Sequence, residues 1–67
     1  MAERSDHERE MATLERARAE EHRARAVEAT TDDEREFFQR AGWYHDEAAK
    51  LHDYLAGLYD RQDARAV

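Results

Sequence analysis

The stretch Phe37–Leu58, FFQRAGWYHDEAAKLHDYLAGL, decides the fold. Within it Phe37, Ala41, Tyr44, Ala48, Leu51, Leu55 and Leu58 follow one another at spacings of 4, 3, 4, 3, 4 and 3. That is an unbroken a/d heptad seam, the pattern of a helix that packs along its length as in a coiled coil. Directly beside the seam Phe38, His45, His52 and Tyr59 recur every seven residues, and beyond them lie the small residues Gly42, Ala49 and Ala56. The column opposite, Gln39, Asp46, Asp53 and Asp60, is wholly polar and reads as a solvent face. A seam widened by an aromatic and histidine column and then by a small-residue column spans well over 100°, more than a two-stranded coil uses. Such a helix touches more than one neighbour. The small column lets one of them approach closely, because side-chain size sets the distance between helix axes.

Working outward, two hydroxyl-x-x-Glu signatures mark helix starts, Ser5-Asp6-His7-Glu8 and Thr31-Asp32-Asp33-Glu34. Each has the form of a capping box, and the second places three acids in a first turn, where the helix dipole favours them. They predict an all-α chain with one helix over about 6–29 and another over about 32–62, in a single domain with frayed ends at about 1–5 and 63–67. The junction at Thr30-Thr31 is read as a tight turn giving an antiparallel hairpin, with one long kinked helix as the alternative. Two β-branched residues followed by three acids disfavour continuation. The only glycines, Gly42 and Gly57, lie inside the second segment, and Gly57 is a candidate for ending it early.

The first segment is poor in large apolar residues: Met11, Leu14 and Val27, with Ala17 and Ala24 completing a thin stripe through Leu14. The rest is mostly Glu, Arg and Ala, with i, i+4 pairs such as Glu21–Arg25 that support an exposed helix. It is too polar to cover the second helix. Leaving Phe37, Phe38, Leu51, Leu55, Leu58 and the tyrosines exposed forfeits about 1.5–3 kcal/mol for each large apolar side chain. Pairing with a second copy resolves the mismatch, so a homo-oligomer is expected, in its simplest form a dimer of hairpins making a four-helix bundle. The expected interface is Phe37, Phe38, Ala41, Tyr44, Ala48, Leu51, Leu55, Leu58 and Tyr59. Trp43, outside the seam, either anchors a further, larger protein partner or covers the hairpin turn.

Sixty-seven residues without a cysteine exclude a disulfide scaffold, and chains this short need association or a metal to bury enough apolar area. A net charge of −6, with basic residues interleaved among acids, argues against direct nucleic-acid binding. The absence of any long apolar run argues against a membrane span, and a cytoplasmic protein is the expectation.

The sharpest candidate for chemistry is a set of four metal-ligating side chains: Glu21 and Glu28 on the first helix, His45 and His52 on the second, each pair seven residues apart. Facing inward in a bundle, they would suit Fe, Mn or Zn in the manner of ferritin-like or haemerythrin-like proteins. The pattern departs from those sites, because Gly42 and Ala49 stand three residues before the histidines, where a Glu is required. In the alternative the histidines border the seam, where charging near pH 6 would weaken the packing. No cysteine or phosphate-binding loop points to an enzyme, and the one serine, Ser5, has a capping role. A helical protein–protein interaction or assembly protein, such as an accessory subunit, regulator or inhibitor, is the leading expectation, with the metal-binding bundle as the alternative.

Overall fold

In a computed structural model, which describes residues 3–65, two helices pack antiparallel as a hairpin, α1 over Glu3–Glu28 and α2 over Asp32–Arg65. The rod measures 55 × 12 × 9 Å between Cα extremes. The turn between the helices takes only residues 29–31, and no described residue has a positive φ, so it closes without glycine. Capping chemistry holds it instead. Thr31 Oγ1 accepts the Glu34 amide at 3.1 Å, the Thr30 hydroxyl donates to the Glu34 carboxylate at 3.2 Å, and Arg35 donates both to Asp32 and back to the Ala29 carbonyl. The N–H of Ala29 closes the last turn of α1 on the Ala26 carbonyl.

At the other start signature the structure differs from the sequence expectation. Ser5 lies within α1 and is fully buried, so it is not the cap of that helix. Its hydroxyl bonds the Asp60 carboxylate across the hairpin. Gly57 does not end α2 either, and the helix continues to Arg65, with Arg4 Nη2 at 3.1 Å from Asp63 tying the two ends together. Of the ends expected to fray, about 1–5 and 63–67, residues 3–5 and 63–65 belong to the helices, and 1–2 and 66–67 lie outside the described residues.

Among the described residues small side chains alone form the apolar core: Ala12, Ala19 and Ala26 from α1 against Ala49 and Ala56 from α2. Ser5 extends the α1 column and Gly42 the α2 column, so both run at intervals of seven residues. The approach is close enough that a Cβ on Gly42 would stand 3.4 Å from the Ala19 carbonyl oxygen and 3.3 Å from Arg23 Cγ. This is the close neighbour that the small-residue column of α2 anticipated. The matching column on α1 is not the Leu14–Ala17–Ala24 stripe, all three of which are exposed.

Candidate interaction surface

Because the axes are brought together by Ala and Gly, ionisable side chains on either flank of the contact reach across it. On one flank Glu15 Oε2 lies 2.5 Å from His45 Nδ1, and Glu8 Oε2 lies 2.5 Å from His52 Nδ1. His22 continues this row, stacked on His45 with ring centroids 5.0 Å apart and on Phe38 at 6.0 Å. The His22 Nδ1 is buried without a hydrogen-bond partner. On the other flank Arg9, Arg16 and Arg23 bind Asp60, Asp53 and Asp46 in turn. In both rows each step of seven residues forward on α1 is matched by seven backward on α2, as antiparallel heptads require. The Asp column that the sequence assigned to solvent is therefore one edge of the hairpin contact.

Electrostatics follow from this geometry. Glu15 is buried, and the hydrogen bond from His45 holds its carboxyl below the ordinary range, aided by Arg18 against the opposing effect of burial. The Ser5 hydroxyl, and after it the Arg9 guanidinium, lower that of Asp60.

The proposed metal ligands are not assembled. His45 and His52 face Glu15 and Glu8, whereas Glu21 and Glu28 are exposed and Glu21 pairs with Arg25. Glu21 and Glu28 continue the column of Leu14, which lies off the contact, while the column of Glu8 and Glu15 adjoins it. Among the described residues no group of three or more His, Asp or Glu is placed to hold a metal ion. A charged imidazole at position 45 or 52 would meet a carboxylate, which removes the reason to expect acid to weaken packing through these histidines.

What the hairpin leaves uncovered is the seam itself. Phe37 is 63% exposed, Tyr44 68% and Leu51 69%, and Tyr54 beside them is 64% exposed. Ala41, Ala48, Leu55 and Leu58 are half-buried along the same strip. Phe38 and Tyr59 are half-buried and turned toward α1, Phe38 against His22 and Tyr59 beneath the Arg4 guanidinium at 4.3 Å. Trp43 is 59% exposed, its ring edge-on to Tyr44 at 5.3 Å. The chain exposes 5162 Å². A compact monomer of its mass, 7.9 kDa, would expose roughly 4,400 Å². Among the described residues no helix is long and apolar enough to cross a membrane.

Comparison with known protein families, with curated proteins and with solved structures finds no match to this chain. The class it can be assigned rests on its fold: a small all-α helical hairpin with an alanine-lined contact and one uncovered apolar face.

Proposed function

We propose that this hairpin is a helical assembly protein, acting in an oligomer through the uncovered face of α2. One observation carries the reading. Among the described residues the buried apolar side chains are five alanines, while Phe37, Trp43, Tyr44, Leu51 and Tyr54 remain largely in water. At about 0.8 kcal/mol for each buried methyl group, the alanine contact contributes roughly 4 kcal/mol. Covering the five large side chains offers more than that, at about 1.5–3 kcal/mol each. An exposed strip of this kind on a small protein marks an interaction surface.

Sedimentation of the wild type and of Leu51→Asp tests the proposal. Leu51 lies outside the α1 contact, so a charge there leaves the hairpin helical while removing the apolar centre of the strip. The wild type is expected to sediment as an oligomer at micromolar concentration and the variant as a helical monomer. A wild type that is folded and monomeric at that concentration overturns the reading.

A further inference from the structure

We propose that the occupant of the free face of α2 is the α2 helix of a second copy, laid antiparallel, with both α1 helices on the outside. The inference rests on the assembly reading above and adds its geometry. Charge at the helix ends gives the direction. Asp32, Asp33 and Glu34 occupy the exposed first turn of α2, whereas in its last turns Asp60 and Asp63 are bound by Arg9 and Arg4 of α1 and Arg61 and Arg65 are exposed. An antiparallel pair sets the acidic first turn of each helix beside Arg61 of the other, and opposes the helix dipoles as well. A parallel pair would set three acids on three acids and arginine on arginine. Near the two-fold axis Glu47 would approach its own copy, but Lys50 Nζ already neutralises it at 3.0 Å.

Side-chain size points the same way. In a parallel pair each layer of the seam meets its own equivalent, so Tyr44 crowds Tyr44 while Ala41 faces Ala41 across a void. Antiparallel layers instead set Ala41 against the partner's Leu51 and Tyr44 against the partner's Ala48. These central layers set large against small and fill the space between the helices, while Phe37 meets the partner's Leu55 in the layer beyond. On the side toward α1, Arg18 and Arg25 stand over the Glu–His row, paired with Glu15 and Glu21. A partner stacked over both helices would have to strip these guanidinium groups of water, which is costly. Contact through α2 alone avoids it, and the product is a four-helix assembly with the two α2 helices central.

The chain contains no cysteine, so single cysteines report the geometry directly. Ala41→Cys and Leu51→Cys chains of different mass are mixed, checked for helicity by circular dichroism and oxidised. The expected product is the mixed 41–51 disulfide, with the 41–41 and 51–51 products minor. A spin label on Asp33→Cys, away from the seam, reads the same orientation: about 40 Å between copies in the antiparallel pair, from the 1.5 Å rise per residue, and less than half that in a parallel one. Self-disulfides at 41 and 51 together with a short label distance would overturn the antiparallel geometry and leave assembly standing. Absence of a dimer in sedimentation would overturn both.

Discussion

The two long faces of α2 are built on opposite principles. Toward α1 it presents Gly42, Ala49 and Ala56, flanked by histidines and aspartates that each find a partner across the contact. On the other side it presents Phe37, Tyr44 and Leu51, which stay exposed, with Leu55 and Leu58 half-buried along the same strip. The first face gains its specificity from proximity: small residues let short polar side chains meet, and the repeating pairs fix register. The second holds most of the apolar area. A hairpin made this way has a well-defined shape and a thin core, and its most exposed large apolar side chains on α2 lie outside that core.

The sharpest way to break the contrast is to make the close face large. Ala49→Leu replaces a methyl that is 1% exposed by a side chain with no room between the helices. Overpacking of this kind costs about 1–3 kcal/mol or more, and here it also pulls the flanking ion pairs apart. The variant should melt at a clearly lower temperature by circular dichroism, whereas an unchanged melt would mean that the helices do not meet at Ala49. Glu15→Ala leaves His45 facing no carboxylate and removes a charged hydrogen bond worth about 1.5–3 kcal/mol in favourable cases. A double-mutant cycle with His45→Ala should recover a coupling energy between the two, and strict additivity would show that the contact contributes nothing.

Acid should act on this close face too, in a direction set by its carboxylates. Glu15 and Asp60 have folded-state carboxyls below their ordinary values. A lowered carboxyl stabilises the fold fully above the unfolded-state value and ceases to do so as pH falls through the folded one. Urea midpoints should therefore drop below about pH 4, the ordinary carboxylate range. Glu15→Gln should flatten part of that decline, and a midpoint indifferent to acid would contradict the assignment.

Asp53→Ala, on the column that reads from sequence as a solvent face, breaks the bridge to Arg16, whose side chain is half exposed. A loss of about 0.2–1 kcal/mol is expected, smaller at high salt. The least effect belongs to Gly42→Ala. It gains about 1 kcal/mol of helix propensity, offset by the 3.3 Å approach of the new Cβ to Arg23 Cγ, on a flexible side chain that can yield. A near-neutral melt would sharpen the estimate of the helix spacing, and a large loss would mean the helices stand closer still.

Much of this was legible in the sequence, and the gaps have physical causes. Thr31 with Glu34 announced the start of α2, since capping is a local interaction fixed by neighbours in the chain. Ser5-x-x-Glu8 carried the same pattern and was misleading. Both residues are drawn into the contact, Ser5 toward Asp60 and Glu8 toward His52, and a local motif holds no information about such distant partners. The small column of α2 was read correctly as a surface of close approach. Its counterpart on α1, Ser5, Ala12, Ala19 and Ala26, is harder to read, because the few large residues of α1 outline a different stripe through Leu14, although the seven-residue spacing of small ones is equally present.

By itself, the sequence determined that the chain would form two helices joined near Thr30-Thr31 and that α2 would carry more apolar surface than α1 could cover. Both follow from propensity, capping and periodicity, which act within a few turns of one helix. Only the tertiary structure decided which face of α2 meets α1: the alanine and glycine column with its Glu–His and Arg–Asp rows, and not the large apolar seam. The physical reason is that helix pairing rewards matched surfaces as well as apolar ones. The small residues of α1 fit those of α2 and bring charged partners within reach, and the seam is left facing outward.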